Sequence, residues 1–240
     1  FRTVQGLATS WVAEPTQQHL EAIRRYELEV VSEFLPPSGQ LLEIGSGAGW
    51  QAQALQEKGY VVRGIDIATS NYRDAMIWPV TQYDGHQIPF EDESFDIVFS
   101  SNVLEHIPHV VEFQKEIHRV LKPRGKVIHL IPSGTWRWWT NLTHLAKCWS
   151  WPNKHGELAS NCLSEISYFR SRWWRRMFEE TGWTVETATS NRLFYTGHSV
   201  MDSRLSIGSR HWLSQALGGS CNLFVLRDAS RQPAESCPSR

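Results

Sequence analysis

Residues 41–49 read Leu-Leu-Glu-Ile-Gly-Ser-Gly-Ala-Gly, a short apolar segment followed by three alternating glycines. The apolar segment predicts a buried strand, and residues 51–58 have the composition of a helix that ends at Gly59. Because glycine has no Cβ, the three glycines allow a tight turn and a close approach of the backbone to a ligand. A strand, a glycine turn and a helix together place free N–H groups at a helix N-terminus, where an anionic group binds.

Several kinds of loop compete for this segment. A P-loop requires Lys followed by Ser or Thr after its last glycine, and Trp50 and Gln51 stand at those positions. The dinucleotide-binding fingerprint requires its third glycine where the chain has Trp50, whose ring opposes close packing of the helix on the strand. An ordinary strand-to-helix turn without a ligand also stays open. The remaining pattern is Glu-x-Gly-x-Gly-x-Gly, which begins at Glu43.

An acidic residue follows the next apolar segment. Residues 60–65 alternate and are rich in β-branched side chains, which predicts a second buried strand that ends at Asp66. In sheets of this kind, an acid about 20 residues after the glycine loop binds the hydroxyl groups of a ribose. A carboxylate suits a diol because it accepts two hydrogen bonds at once. Asp66 therefore indicates a nucleoside ligand, although NAD enzymes share the same feature.

Further motifs follow in order. Residues 83–90 read Tyr-Asp-Gly-His-Gln-Ile-Pro-Phe, and residues 92–100 read Asp-Glu-Ser-Phe-Asp-Ile-Val-Phe-Ser. Residues 101–106 then read Ser-Asn-Val-Leu-Glu-His, and residues 119–126 read Arg-Val-Leu-Lys-Pro-Arg-Gly-Lys. With the glycine pattern, these motifs resemble, over about residues 38–133, the type 11 family of class I S-adenosylmethionine (SAM)-dependent methyltransferases.

This resemblance implies a fold, a cofactor and a set of binding residues. The fold is α/β, with a doubly wound, mostly parallel seven-stranded sheet (Rossmann-like) whose last strand is antiparallel. The cofactor is SAM, and Asp84 occupies the position that hydrogen-bonds the adenine amino group. We expect Asp96, which opens the fourth strand, to be structural. The expected cofactor-binding residues are Glu43, Gly45, Gly47, Gly49, Asp66, Ile67, Asp84, Gly85 and Ser101.

The length and the periodicity of the chain predict one domain. We expect residues 1–227 to form the methyltransferase domain, and residues 228–240, rich in Ser, Pro, Arg and Glu, to form a disordered tail. Apolar residues at helical spacing predict three amphipathic helices over 15–35, 110–121 and 164–182. Alternation predicts later strands over 126–131, 184–189 and 221–226. Within the second half of the last helix, a mixture of Arg and Trp indicates one packed and one solvated face rather than a nucleic-acid site.

A tryptophan-rich insert over 134–163 follows the fifth strand. Segments at this place lie over the reaction end of the sheet, so the insert is a candidate lid for the acceptor. Three uses of its tryptophans stay open: stacking on a sugar or aromatic acceptor, peripheral contact with membrane headgroups, or a small satellite core. The tryptophans in and beside it are Trp136, Trp138, Trp139, Trp149 and Trp151.

Histidines near the reaction end are the candidate catalytic residues. An alcohol acceptor must lose a proton during methyl transfer, which calls for a base that titrates near neutral pH. His106 follows the fourth strand, and His155 lies on the insert beside Glu157, whose carboxylate would orient the imidazole ring. We expect either histidine to act as the base, whereas His129 lies within the fifth strand and is expected to be buried.

Composition excludes several classes of protein. The net charge of −1 argues against strong electrostatic capture of nucleic acid, and no run of 18 apolar residues is present. Four scattered cysteines without a Cys-x-x-Cys pair indicate free thiols in a reducing cytoplasm. No metal is expected, because the spacing of the candidate ligands matches no standard zinc pattern. Those candidates are His144, Cys148, His155 and Cys162.

The preferred function is transfer of a methyl group to oxygen on a small molecule or on a cell-envelope glycan or glycolipid. This acceptor class rests on a weaker resemblance of the His-Gly-Glu and Trp-Trp-Arg segments to bacterial enzymes. The expected location is the cytoplasm, with peripheral contact at the inner membrane face if the tryptophans touch lipid. Carbon methylation of a lipid quinone, a methyltransferase-like binding module without catalysis, and a dehydrogenase are the alternatives.

Overall fold

The computed structural model describes residues 17–70, 75–197 and 204–231. Seven strands form one sheet in the spatial order β3-β2-β1-β4-β5-β7-β6. The strands are β1 (Gln40–Ile44), β2 (Val61–Ile67), β3 (Val80–Tyr83), β4 (Phe95–Ser101), β5 (Leu121–Pro132), β6 (Trp183–Ser190) and β7 (Cys221–Asp228). Strand β7 runs antiparallel to both of its neighbours, and the pairs among β1 to β5 are parallel. The doubly wound sheet with an antiparallel last strand is therefore confirmed.

Helices cover both faces of the sheet, as alternating strands and helices require. The helices are α1 (Gln17–Ser32), α2 (Trp50–Glu57), α3 (Val110–Val120), α4 (Gly134–Cys148), α5 (Glu165–Tyr168), α6 (Ser171–Glu180) and α7 (Ile207–Leu217). Buried side chains of α3 and α6 form one core with one face of the strands, and those of α1 and α2 form a second core on the other face. Successive residues of a strand point to opposite faces, so Leu41 packs in one core and Leu42 in the other.

The helix predicted over 164–182 is broken in two, and this part of the prediction was wrong. Helix α5 ends because the carbonyl of Phe169 accepts hydrogen bonds from the Gly134 N–H and from the Asn222 side chain, each over 2.9 Å. Arg170 then has an extended backbone, and α6 starts at the next residue. These partners come from the insert and from β7, so local periodicity could not reveal the break.

Helix α6 has one packed and one solvated face. Trp174 and Phe178 are buried in the core. On the solvated face, Arg176 pairs with Glu180 over 2.7 Å. The division into a packed face and a solvated face is the one that the mixture of Arg and Trp predicted.

The predicted C-terminal boundary of the domain differs from the structure. Strand β7 includes Asp228, and residues 229–231 form a 3-10 turn, so the ordered part of the chain extends past the predicted boundary. Residues 232–240 lie outside the described residues, as does the beginning of the helix predicted over 15–35. Helix α7 was not predicted. Within the described ranges, every helix is too short or too polar to cross a bilayer.

The insert over 134–163 contains α4 and an irregular segment that returns to α5. Its tryptophans divide between the core and the surface. Trp136 is buried, whereas Trp138, Trp149 and Trp151 each expose more than half of their surface. A satellite core therefore accounts for only part of this set.

Candidate functional site

The carboxyl ends of the neighbouring strands β2, β1 and β4 lie close together at one edge of the sheet. Ile44 of β1 lies in register with Ile65 of β2 and with Ser100 of β4. The next residues along the three strands are Gly45, Asp66 and Ser101. Tyr83 of β3 pairs with Ile67, so Asp84 follows on the adjacent strand. Parallel strands thus bring the expected binding residues to the edge where ligands bind in open α/β sheets.

The glycine loop has a left-handed backbone at each of its three glycines. The φ angles are +73° at Gly45, +54° at Gly47 and +86° at Gly49. A Cβ on Gly45 would lie 2.3 Å from Val103 Cγ2, and one on Gly49 would lie 2.7 Å from Trp78 Cβ. The sequence predicted that these glycines admit a ligand, but at positions 45 and 49 the closely approaching atoms belong to the protein.

Trp78 is a residue of this site that the sequence reasoning missed. Its ring nitrogen donates a hydrogen bond to Gln56 Oε1 over 2.7 Å, and the preceding N–H, of Ile77, donates to the Ala48 carbonyl over 2.9 Å. The segment around Trp78 therefore supports the glycine loop from the side of β3. Trp50, which excludes the P-loop pattern, begins α2, and the guanidinium of Arg25 lies 5.1 Å from its ring centre.

Asp66 is bonded to the glycine loop. Its Oδ2 accepts a hydrogen bond from the Gly47 N–H over 2.8 Å and one from the Ser70 hydroxyl over 3.1 Å. Its Oδ1 accepts from the Ile67 N–H over 2.7 Å. Strand β2 continues to Ile67 rather than ending at Asp66 as predicted. Because each carboxylate oxygen has two lone pairs, Oδ1 keeps capacity for a ligand hydroxyl.

Glu43 lies in β1, just before the glycine loop, and is almost fully buried. Burial raises the pKa of this carboxyl to about 7, against hydrogen bonds from the Ser46 side chain and the Ala52 backbone that lower it. Its Oε2 has no hydrogen-bond partner among the residues that the structure describes. The Oε2 atom of Glu43 is therefore a buried hydrogen-bond acceptor next to the glycine loop.

Asp84 is exposed at the tip of β3. Its Oδ1 accepts hydrogen bonds from the N–H groups of His86, over 2.8 Å, and Gln87, over 2.9 Å, and these bonds lower the pKa of the carboxyl. Gly85 has a φ of +82°, and a Cβ there would contact the side chain of Ile67 at 3.4 Å. The structure therefore brings these three predicted residues, from two strands, next to one another.

A 3-10 turn, Leu104–His106, follows β4. It buries Glu105 completely and leaves His106 at the surface. Neither carboxylate oxygen of Glu105 forms a hydrogen bond within the described part of the chain. Burial lowers the pKa of His106, and the charge of Glu105 opposes that shift.

The insert carries His155 onto this turn. The Glu157 N–H donates to the Glu105 carbonyl over 2.8 Å, and a Cβ on Gly156 would lie 2.6 Å from that same carbonyl oxygen. The N–H groups of His155 and Gly156 both donate to Glu165 Oε1, over 2.6 and 2.7 Å. Gly156 is thus required by the close approach of the two backbones.

A buried ion pair holds the segment in place. Arg137 Nε of α4 lies 2.7 Å from Glu165 Oε2, and both side chains are almost completely buried. Arg137 Nη2 also donates to the carbonyl of Asn153 over 2.5 Å. The sequence reasoning assigned no role to Arg137 or Glu165, and a pair split between two helices leaves no local pattern by which to find it.

We call Glu105, His106 and His155 the histidine cluster. The Nε2 atoms of the two histidines each lie 3.8 Å from Glu105 Oε1, and the ring centres are 4.7 Å apart. The sequence expected Glu157 to orient His155, but Glu157 instead pairs with Lys154 over 2.7 Å. The carboxylate nearest to His155 is that of Glu105, which only the folded chain brings close.

Two other residues lie where the sequence placed them. Asp96 accepts hydrogen bonds from the Gln40 N–H over 2.9 Å and from Lys122 Nζ over 3.0 Å, at the opposite end of the strands, so its structural role is confirmed. His129 is fully buried in β5, and its Nδ1 shares a hydrogen bond with the Ser100 hydroxyl over 2.8 Å. Burial lowers the pKa of His129 to about 3.

Comparisons with known proteins identify the central segment of the chain. Residues 42–129 match the family model of a methyltransferase domain of type 11. An uncharacterized methyltransferase of Mycobacterium leprae (strain Br4923) is 34% identical over 100 residues, which are 39% of this chain and 37% of that protein. The ubiquinone biosynthesis O-methyltransferase of Xanthomonas axonopodis pv. citri (strain 306) is 31% identical over 127 residues, 49% of this chain and 53% of that protein. The chain spans about one third to one half of the length of these relatives.

A solved structure extends the likeness in fold to most of the chain. The SAM-dependent methyltransferase of Mesorhizobium loti matches with a TM-score of 0.57 and 16% sequence identity. The match covers 84% of this chain and 97% of that one. At this identity, the match shows a shared fold.

The residues at the strand ends suit a nucleoside that carries an amino-acid group and a positive charge. A left-handed glycine loop, an acid at the end of β2 and an acid at the end of β3 are present together. Glu43 adds a buried carboxyl oxygen without a partner among the described residues. Residues 42–129 are thus similar to a methyltransferase domain of type 11, and most of the chain shares its fold with a solved SAM-dependent methyltransferase.

Proposed function

We propose that the chain transfers the methyl group of SAM to a hydroxyl oxygen of a small molecule or of a cell-envelope glycan or glycolipid. The observation that carries this proposal is the position of the histidine cluster. Glu105 and His106 belong to the turn that follows β4, whose last residue, Ser101, is level with Gly45 and Asp66, and His155 packs onto this turn from the insert. Groups that act on a hydroxyl proton are thus next to the expected cofactor edge.

The chain's own residues provide binding and alignment. We assign the ribose hydroxyls to Asp66, the adenine amino group to Asp84 and the amino-acid end to the loop at Gly45, Gly47 and Gly49. Ile67, Gly85 and Ser101 line the same edge, with Glu43 beneath the loop. Holding two reactants in a reactive geometry is the main contribution that a protein makes to a displacement in one step.

The acceptor hydroxyl must lose its proton as it reacts. When bound, SAM supplies a methyl group on a positively charged sulphur, so the C–O bond forms as the C–S bond breaks and the sulphur keeps the electron pair. Among the described side chains near this edge, we assign the imidazoles of His106 and His155 as the groups that accept the hydroxyl proton. Glu105 stabilises the imidazolium that forms, and Glu157 stands at the rim with Lys154.

Oxygen methylation of this acceptor class has two supports. One matched relative is named as an O-methyltransferase of ubiquinone biosynthesis. Exposed tryptophans on the insert, among them Trp149 and Trp151, offer faces on which a sugar ring or a lipid headgroup can rest. We place the acceptor against this surface and not against nucleic acid, because the net charge is −1.

The test uses His155→Ala and measures two quantities. The first is SAM affinity by calorimetry, and the second is the formation of S-adenosylhomocysteine with a panel of phenols, sugars and amines. We expect the unchanged chain to transfer the methyl group to hydroxyl acceptors. In His155→Ala, we expect the rate of transfer to fall at least about 100-fold while SAM affinity stays the same. Weaker SAM binding with intact chemistry would show that the base assignment is wrong. Transfer to amines alone would refute oxygen methylation.

The same measurements separate this proposal from a binding module without catalysis. That alternative predicts no heat with SAM and no competition by S-adenosylhomocysteine. The described loop retains all three glycines in left-handed conformations and the bond from Gly47 to Asp66, which supports an intact cofactor site.

A further inference from the structure

We infer that the histidine cluster is a binding site for a divalent transition-metal ion of the zinc type. The cluster offers two imidazole nitrogens and one carboxylate oxygen, and these three atoms lie within 4.8 Å of one another. Two histidines and one carboxylate form a common ligand set of catalytic zinc, which leaves a further position open for water or substrate. The sequence pattern predicted no metal, because His155 and Glu105 meet only in the folded chain.

The buried carboxylate of Glu105 is the observation that points to a ligand. Its side chain has no exposed surface, and neither oxygen has a hydrogen-bond partner in the described ranges. A buried, unpaired charge is expensive, and buried charges are normally paired or bound to metal. In the described part of the chain, the Nε2 atoms of the two imidazoles each lie 3.8 Å from Glu105 Oε1, which is too long for a hydrogen bond. A bound cation supplies the missing partner.

The distances suit an ion after a small adjustment. Zinc lies about 2.0–2.2 Å from its nitrogen and oxygen ligands, so two ligand atoms on a tetrahedral ion are about 3.4 Å apart. The separations of 3.8 Å from Glu105 to each histidine are slightly larger than this value. Both histidine side chains are at least one third exposed, so their rings can turn toward the ion without disturbing the core.

Hydrogen bonds fix the backbone around the histidine cluster in the absence of an ion. Glu165 accepts the N–H groups of His155 and Gly156, and Glu105 accepts the N–H of Glu157 through its carbonyl. These contacts bring the insert to the turn after β4 before any ion binds. Ordered groups around a site determine the orientation and affinity of its ligands.

A bound ion would also deepen the proposed function, and this consequence rests on it. An acceptor hydroxyl in the open position of the ion becomes more acidic, because the positive charge stabilises the alkoxide. The proton then leaves to solvent, and the ion takes the place of a free imidazole base. Metal binding itself needs neither SAM nor an acceptor, so it can be tested alone.

The experiment adds Zn²⁺ or Co²⁺ to the full chain, made without a histidine tag and freed of metal by a chelator. Calorimetry with Zn²⁺ and the visible absorption of Co²⁺ report on binding. We expect one ion per chain, with an affinity at least about 100-fold weaker in His155→Ala and in Glu105→Gln. His86→Ala is the matched control, because His86 is exposed and belongs to another histidine pair, with its ring centre 4.2 Å from that of His109. This control should bind the ion like the unchanged chain.

Two results would overturn the inference. One is the absence of binding in the unchanged chain, and the other is equal binding in His155→Ala and the unchanged chain. If circular dichroism shows that Glu105→Gln does not fold, the result for His155→Ala decides whether the metal site exists. His155 is partly exposed, so we expect this variant to fold. SAM calorimetry on the same samples keeps the two proposals apart. In the unchanged chain, absence of metal binding with intact SAM binding refutes only the metal site, and absence of SAM binding refutes the proposed function.

Discussion

At the scale of single residues, Glu43 is an almost fully buried carboxyl next to the expected cofactor edge. Its ordinary pKa is 4.5, and burial raises it to about 7 in the folded chain. The folded protein therefore holds a proton there that the unfolded chain releases above pH 4.5. This contribution to stability is present at low pH and is lost as the pH rises through 7.

We predict that Glu43→Gln flattens the pH dependence of stability. In the unchanged chain, this carboxyl lowers the free energy of unfolding by at most about 3 kcal/mol as the pH rises from 4.5 to 7. An amide does not titrate, so the variant loses that slope. Urea unfolding from pH 5 to 8 measures it, and parallel curves for both proteins would show that Glu43 is not the titrating group.

The glycines of the loop make a second prediction at this scale. In Gly45→Ala, the new methyl group lies 2.3 Å from Val103, and the alanine must adopt the left-handed backbone of the glycine. In Gly59→Ala, the alanine has the same kind of backbone strain, but no atom lies within 4 Å of its methyl group. We expect Gly45→Ala to cost about 1–3 kcal/mol more unfolding free energy than Gly59→Ala, and to weaken SAM binding while Gly59→Ala does not. Equal effects of the two changes on thermal unfolding and calorimetry would contradict the packing described for the loop.

At the scale of elements, the segment over 153–157 depends on a contact between two helices. Arg137 of α4 and Glu165 of α5 form a buried pair, and Glu165 also accepts the N–H groups of His155 and Gly156. The tryptophan-rich insert is thus anchored through its charged residues. The position of His155, and with it the geometry of the histidine cluster, follows from this pair.

We predict that Glu165→Ala loosens that segment. The change leaves Arg137 buried without its partner, which costs about 3–5 kcal/mol of unfolding free energy, and frees two N–H groups. Hydrogen exchange at the amides of His155 and Gly156 should become faster than elsewhere in the insert. The matched control is Glu180→Gln, which removes an exposed partner of Arg176 and should leave both measurements unchanged. Unchanged exchange at His155 in Glu165→Ala would show that the pair does not anchor the segment.

At the scale of the whole molecule, the sequence was informative wherever the chain is locally periodic. Strand alternation and the glycine turn were sufficient to predict β1, β2 and α2, and the family motifs predicted the antiparallel β7. Contacts between distant segments were not predictable. The break between α5 and α6 depends on Gly134 and Asn222, and the meeting of His155 with Glu105 depends on the fit of Gly156 against a carbonyl. The edge of the sheet could thus be assigned from sequence, and the histidine cluster could not.

The proposed function requires that SAM binds at the carboxyl ends of β1 and β2, and calorimetry of the full chain measures this binding directly. We predict one SAM per chain, with affinity lowered about 10–100-fold in Asp66→Ala, because hydrogen bonds to a charged group contribute about 1.5–3 kcal/mol. Asp96→Ala, at the opposite end of the strands, should bind SAM like the unchanged chain. The absence of heat with SAM, equal binding by both variants, or displacement of SAM by NADH would contradict the account.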